Sequence, residues 1–173
     1  MKYLLPLLVV WTLVLNGCSG EKESDEIVKS DQNEKLAHRF HMDIFQEGKM
    51  DVADEILSPN FVNHFPGNPP EMQRGPDGMK RLAVALRTAF PDMQIIHDDV
   101  ITQGDKVIIR WSMTGTQDGE LFGVPPTGKS VSITGIDIFR VDAGKIVELW
   151  QNWDQMGMMQ QLGVIPAAEE SGE

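Results

Sequence analysis

The order of the periodic patterns along the chain limits the fold more than any other feature of the sequence. Before Pro91 the apolar residues recur at helical spacing, and from Met93 onward they alternate as in strands. A run of helices followed by a run of strands indicates an α+β domain, with helices packed on one face of a curved antiparallel sheet. The 173 residues suffice for one such domain with appendages.

Three helices are predicted in the first half of the chain. The first begins at Asp31, where Glu34 three residues later completes a potential capping box. The second covers residues 51–57 and ends before a proline, because the residue preceding proline avoids the helical region. The third begins at Gly75, with a proline in its first turn, and ends at Pro91.

The second half predicts a meander of four strands followed by a short helix over residues 155–162. Glycine-containing turns separate the first two strands and the last two, as expected for hairpins. Between Val107 and Met113 one face is more apolar than the other, which suits a sheet with one covered face. The four predicted strands span residues 93–102, 106–116, 129–141 and 145–153.

The N-terminus has the pattern of a secretory signal. Lys2 precedes an apolar run that is too short to span a bilayer comfortably. The run ends in Leu-Asn-Gly-Cys at residues 15–18, which resembles the bacterial lipobox, where the signal is removed and the cysteine is acylated. Cys18 is the only cysteine in the chain, so it has no disulfide partner within it. The alternative is an ordinary cleaved signal beside an incidental cysteine.

These patterns divide the chain into four parts. Residues 1–17 are the expected lipoprotein signal peptide, and residues 18–30 are the lipidated cysteine with a charged, flexible tether. The folded domain is expected over residues 31–165, and residues 166–173 as a disordered tail. A lipid anchor on Cys18 would hold the protein to a membrane of the cell envelope, by expectation the outer membrane of a Gram-negative bacterium.

The charge of the chain bears on its partners. Its formal net charge is −11 at pH 7, with 26 acidic and 15 basic residues. Such a surface lacks the positive potential that attracts nucleic acid or anionic lipid. We therefore expect no nucleic-acid partner.

An ordered series of segments resembles the SnoaL-like polyketide cyclases, also called ester cyclases, of the nuclear-transport-factor-2-like superfamily. The resemblance extends from about Asn33 to Gly163. It implies a cone of helices closed over a strongly curved sheet, with a deep apolar pocket and assembly into homodimers. The segments are NFVNH at 60–64, AFPD at 89–92, FGVPPTGK at 122–129, TGIDIFR at 134–140 and GKIVE at 144–148 with Trp150.

The resemblance implies that Asp154, near the end of the last strand, is the acid/base of an intramolecular aldol ring closure. A carboxylate surrounded by indole rings suits this task, because burial disfavours its charged form and raises its pKa toward the working pH. The alternative is that Asp154 caps the terminal helix by accepting from the N–H of Met156 or Gly157. His64 occupies a position that often lines the pocket in this family, and it could orient a carbonyl oxygen or exchange a proton. The alternative is that His64 is half-buried and hydrogen-bonded to a loop carbonyl.

Asp137 is an acid at a strand-interior position between two isoleucines, where a buried carboxylate needs a partner or a ligand. Arg110 in the neighbouring strand is the expected ion-pair partner. If that pair lies in the pocket, it becomes a polar anchor for a ligand.

The remaining candidate ligand-binding residues are mostly aromatic, and they either line an adaptable apolar cavity or belong only to the core. They are Trp111, Phe139, Trp150 and Asn152. His38 and His41 are expected at the solvent-facing rim of the first helix. His97 is expected on the exterior of the sheet, without a role.

Two functions follow. The first is an enzyme that cyclises, isomerises or hydrolyses a small apolar carbonyl compound by acid/base catalysis. It would need no metal or other cofactor, since the sequence has neither a metal-ligand cluster nor a phosphate-binding loop. The second is a non-catalytic module that binds an apolar ligand or a protein at the envelope. An envelope location would separate the protein from cytosolic polyketide synthesis, so a different substrate is expected.

Overall fold

The computed structural model describes residues 18–166, with side chains from residue 24 onward. The signal peptide predicted over residues 1–17 and all but the first residue of the predicted tail lie outside this range. The helices are α1 (Cys18–Arg39), which continues as a π-helical segment (Phe40–Gln46), α2 (Asp51–Ile56), α3 (Gly75–Ala89) and α4 (Gln155–Leu162). The strands are β1 (Leu57–Asn63), β2 (Gln94–Gln103), β3 (Lys106–Thr116), β4 (Ser130–Asp142) and β5 (Lys145–Trp153).

All five strands form one sheet in the order β1-β5-β4-β3-β2. The meander β2-β3-β4-β5 is antiparallel, as predicted, but β1 pairs with β5 in parallel. The expectation of a wholly antiparallel sheet is therefore wrong at this edge. The α+β architecture itself, with helices on one face of the sheet, is confirmed.

The first helix begins earlier than predicted. Because α1 already runs from Cys18, Asp31 lies inside the helix, and the predicted capping box with Glu34 is not formed. Residues 18–30 are thus helical rather than irregular, while their assignment as a tether stays a prediction. Among the helices of residues 18–166, none combines the length and apolar character needed to cross a bilayer.

The core lies between the helices and the inner face of the sheet. Along β4 every second residue from Val131 to Val141 is buried, as alternation in a half-covered strand requires. Phe139 is fully buried there and packs its ring against Phe40, with ring centroids 5.2 Å apart. The opposite, outer face carries exposed apolar residues that include Ile96 and Ile136.

Candidate functional site

The helices and the inner face of the sheet enclose a cavity of about 340 Å³. This volume lies in the range of small-molecule pockets, which are mostly apolar with a few convergent polar groups. Three polar groups converge here from different elements: His41 from the π-helical segment, Asp137 from β4 and Gln151 from β5. The other polar lining residues are Asn63, Asn68 and Gln155. Apolar lining residues include Phe40, Phe45, Leu82, Phe90, Trp111 and Trp153.

The carboxylate of Asp137 is the most deeply buried of these polar groups. Its side chain is fully inaccessible to solvent, and its neighbours on the inner face of the sheet are Ile109 and Gln151. Oδ2 lies 2.9 Å from His41 Nε2 and accepts from Gln151 Nε2 at 3.1 Å. Oδ1 has no hydrogen-bond partner among the residues that the structure describes. One oxygen is therefore held in place, and the other remains free at the cavity.

His41 is brought to Asp137 by a local change in helix geometry. It is the second residue of the π-helical segment that extends α1, and it is buried. Single-turn π-helical distortions are frequent at functional sites. Its second ring nitrogen, Nδ1, lies 2.9 Å from Nε2 of His97 on β2. The expectations that His41 is a rim residue and that His97 lies outside the sheet are both wrong.

Gln151 is oriented by a chain of hydrogen bonds that starts at the backbone. The N–H of Phe65 donates to Asn63 Oδ1 at 2.9 Å, so the amide nitrogen of Asn63 points the other way. That nitrogen donates to Gln151 Oε1 at 2.9 Å. The amide nitrogen of Gln151 must then face Asp137, because an amide has one accepting and one donating end.

Two further cavity-lining side chains have buried N–H donors that find no hydrogen-bond partner within residues 18–166, namely Trp111 Nε1 and Asn68 Nδ2. Trp111 can lie flat across the sheet because Gly135 stands opposite it on β4, where a Cβ would overlap the indole ring. Buried polar groups are usually hydrogen-bonded. Two free donors and the free Oδ1 of Asp137 in one apolar cavity therefore suit a ligand that carries oxygen atoms.

The pKa of His97 is lowered to about 4, chiefly by burial and also by the neighbouring His41 and His38 rings, against a smaller raising by the carboxylates of Asp137 and Asp98. His97 is therefore neutral at physiological pH. Although three histidine rings meet here, the side chains of residues 24–166 form no group of three or more His, Cys, Asp or Glu suited to a metal ion.

Asp154 lies outside the cavity. Its exposed side chain caps α4, with Oδ1 accepting from the N–H of Gly157 at 2.8 Å. Gly157 permits this close approach, since a Cβ there would overlap the carboxylate. The structure supports the capping alternative.

His64 is also outside the cavity lining. Its ring stacks on Trp150, with centroids 4.8 Å apart and planes within 9°. Its Nε2 lies 3.1 Å from Glu148 Oε1, so its partner is a carboxylate rather than the loop carbonyl expected from the sequence. Trp150 pairs in register with Ile138 on the outer face of the sheet, so the stacked rings lie on that face, away from the cavity. The structure therefore does not bring His64 to the candidate site.

The predicted ion pair between Arg110 and Asp137 is absent, because neighbouring strand residues point to opposite faces. Asp137 pairs in register with Ile109, and Arg110 is exposed and bonded to Asp98 at 3.2 Å. Asn152, also predicted to bind ligand, shares the outer face with Arg110. Of the predicted ligand-binding residues, only Asp137 and Trp111 line the cavity. Phe139 does not line it, but its ring contacts the lining residues Phe40 and His41.

The comparisons with known proteins agree with this architecture. The profile of a family described as SnoaL-like polyketide cyclase matches residues 35–162. The chain is 28% identical over 130 residues to aklanonic acid methyl ester cyclase DnrD of Streptomyces peucetius, covering 72% of this chain and 87% of that protein. Nogalonic acid methyl ester cyclase of Streptomyces nogalater is 27% identical over 125 residues, covering 69% and 89%. The structure of TsrD from Streptomyces laurentii superposes with a TM-score of 0.70 at 27% identity, covering 78% of this chain and 97% of that one.

The cap at Asp154 predicts a stability effect. Asp154→Ala should lower the free energy of unfolding by about 0.5–2 kcal/mol, because Gly157 N–H loses its acceptor. Asp154→Asn should change it little, since asparagine caps a helix as well as aspartate. Urea unfolding of both variants measures this. Equal destabilisation by the two substitutions would contradict a capping role.

The lowered pKa of His97 predicts acid sensitivity. The unfolded chain binds more protons than the folded one between the ordinary pKa of 6.5 and the folded value of about 4. The stability that neutral His97 contributes is thus fully present above pH 6.5 and is lost as the pH falls toward its folded-state pKa of about 4. His97→Gln should reduce the loss of unfolding free energy between pH 7 and pH 5 by about 1–2 kcal/mol. An unchanged loss in urea unfolding at the two pH values would contradict the prediction.

Proposed function

Because the chain belongs to the SnoaL-like polyketide cyclase family, we propose that it performs acid/base chemistry on a small apolar carbonyl compound with the buried Asp137 as the catalytic residue. The observation that carries the proposal is the asymmetry of this carboxylate. His41 and Gln151 converge on Oδ2, whereas Oδ1 is buried, unpartnered and at the cavity. A carboxylate held in this way is a candidate base with a stated physical rationale.

The proposed reaction is an intramolecular aldol ring closure. Asp137 Oδ1 removes a proton from the carbon between or beside carbonyl groups, and the electron pair of that C–H bond becomes an enolate. The enolate carbon forms a C–C bond to a second carbonyl carbon, whose oxygen becomes an alkoxide. The carboxylic acid of Asp137 returns its proton to that alkoxide, so the base is regenerated. General acid/base catalysis of this kind contributes roughly 10²–10⁴-fold.

The free donors of the cavity suit the negative charge that develops in this reaction. Trp111 stands opposite Gly135, two residues from Asp137 on the same face, so the indole and the carboxylate are diagonal neighbours. We assign Trp111 Nε1–H to the enolate oxygen and Asn68 Nδ2 to a second substrate oxygen. Preorganised donors at a developing oxyanion stabilise the transition state, most of all where water is excluded.

The alternative function is a binding module without turnover. A binder needs only an apolar cavity, whereas an enzyme needs polar groups that converge near the reacting carboxylate. The convergence of His41 and Gln151 on Asp137 favours the enzyme. The relatives named above are cyclases of aklanonic and nogalonic acid methyl esters, and these two esters are the first compounds to test.

We also propose that the protein is anchored to the cell envelope, in the outer membrane of a Gram-negative bacterium, by acyl chains on Cys18. The support is the sequence pattern at the N-terminus, where a positive residue, an apolar run and Leu-Asn-Gly-Cys follow one another. Two or more acyl chains anchor a protein stably. A substrate that reaches this location would be an apolar carbonyl compound of the envelope.

Homodimer formation through the outer face of the sheet is likewise proposed. Its support is the exposure of Ile96 and Ile136, 61% and 47% accessible, on a face that also carries Trp150. Exposed large apolar side chains clustered on one surface favour association.

The catalytic role of Asp137 predicts the outcome of one substitution. Asp137→Asn should lower kcat on a methyl ester that the wild type cyclises by about 10²–10⁴-fold, because the amide cannot accept the substrate proton. Product formation is followed by liquid chromatography. Asp154→Asn is the matched control, and it should retain wild-type turnover, since the cap is preserved.

Equal turnover by Asp137→Asn, or loss of turnover in Asp154→Asn, would contradict the assignment. Tight binding of both esters to the wild type without any turnover would favour the binding module.

A further inference from the structure

We propose that His97 is a positioning residue for Asp137, an inference that rests on the proposed function of that carboxylate. His97 Nε2–H donates to His41 Nδ1 and thereby fixes the tautomer in which His41 Nε2–H holds Asp137 Oδ2. The contacts that carry it are the 2.9 Å distances from His97 Nε2 to His41 Nδ1 and from His41 Nε2 to Asp137 Oδ2.

The direction of the hydrogen bonds follows from the chemistry of imidazole. A neutral histidine has one N–H and one nitrogen lone pair, and the partner of one nitrogen decides the state of the other. An ionised Asp137 only accepts, so the facing nitrogen of His41 must carry the proton. The opposite nitrogen of a neutral His41 then needs a donor, and His97 Nε2 is the atom in reach.

The reverse tautomer is incompatible with a base at this position. With its proton on Nδ1, His41 would turn a lone pair toward Oδ2, which would require a protonated Asp137. A protonated carboxyl group cannot remove a proton from substrate. The orientation of the histidine pair therefore decides whether Asp137 is a base or an acid before substrate binds.

The second group bonded to Asp137 Oδ2, the side-chain amide of Gln151, has a fixed orientation. The orientation of Gln151 follows from the backbone N–H of Phe65 through Asn63, as described above. A backbone N–H cannot exchange donor and acceptor roles. The histidine pair is thus the part of this network in which proton positions are free to change.

The surroundings of His97 keep it neutral at physiological pH, because burial lowers its pKa to about 4. The titratable groups that shift its pKa are His38 on α1, His41 on the π-helical segment, Asp98 on β2 and Asp137 on β4. The His38 and His41 rings contact the His97 ring edge-on, with centroids 5.2 and 5.0 Å away. His97 also lines a surface groove between α1 and the sheet, so solvent protons reach the pair without passing through the cavity. Charged residues of α1 line the same groove, namely Asp31, Glu34, Lys35 and Arg39.

The test compares the wild-type full chain with three variants: His97→Leu removes the donor, His97→Gln supplies an amide N–H in its place, and His38→Gln changes the neighbouring ring. Imidazole ¹⁵N NMR between pH 5 and pH 8 shows which nitrogen of His41 carries the proton. We expect the proton on Nε2, with Nδ1 bare at neutral pH, in the wild type, His97→Gln and His38→Gln. In His97→Leu, where Nδ1 of His41 has lost its donor, we expect Nδ1 to carry a proton in part of the molecules.

Turnover of a methyl ester provides a second measurement. His97→Leu should lower kcat on the order of 10–100-fold, as substitution of a residue that orients a functional histidine commonly does, and leave KM unchanged. His97→Gln should recover most of kcat. His38→Gln should match the wild type in both constants.

The proposal is overturned if His41 in the wild type carries its proton on Nδ1, or if His97→Leu leaves its protonation unchanged. These NMR results do not depend on a substrate. The expected NMR pattern without turnover by the wild type would instead contradict the proposed function while the hydrogen-bond assignment stands.

Discussion

The structure depends on the burial of one carboxylate in an apolar cavity. An isolated buried charge is strongly unfavourable, and it is tolerated when donors surround it. Oδ2 of Asp137 lies within hydrogen-bond distance of His41 and Gln151, and Oδ1 has no partner in the part of the chain that the structure describes. The fold thus holds one oxygen of the carboxyl group in place and presents the other to a ligand.

Irregularities in regular elements bring these donors to the carboxylate. The π-helical segment at the end of α1 carries His41. The ladder between β4 and β5 shifts by one residue between Arg140 and Val141, and this shift sets Gln151 rather than Trp150 opposite Asp137. A bulge between His97 and Asp99 likewise turns His97 to the inner face of β2.

The sequence predicts much of the fold, because helix and strand periodicities are local. The bounds of β3, β5 and α4 agree with prediction, and the strand pattern predicts that Asp137 is a buried acid in need of a partner. The wrong predictions concern which face a residue occupies. If β2 alternated regularly from Val100, His97 would lie on the outer face, and if β4 and β5 paired without the shift, Trp150 would lie opposite Asp137. The two bulges change both placements, and bulges have no clear signal in the local sequence. The parallel pairing of β1 also depends on contacts distant in sequence.

The central claim is that the free oxygen of Asp137 meets the reacting carbon of a carbonyl ligand. A crystal structure of the protein with nogalonic acid methyl ester or aklanonic acid methyl ester bound tests this most directly. We expect the acidic carbon within about 3–3.5 Å of Asp137 Oδ1, the separation typical of reacting atoms, and a carbonyl oxygen accepting from Trp111 Nε1. A ligand bound outside the cavity, or one whose acidic carbon faces away from Asp137, would contradict the claim.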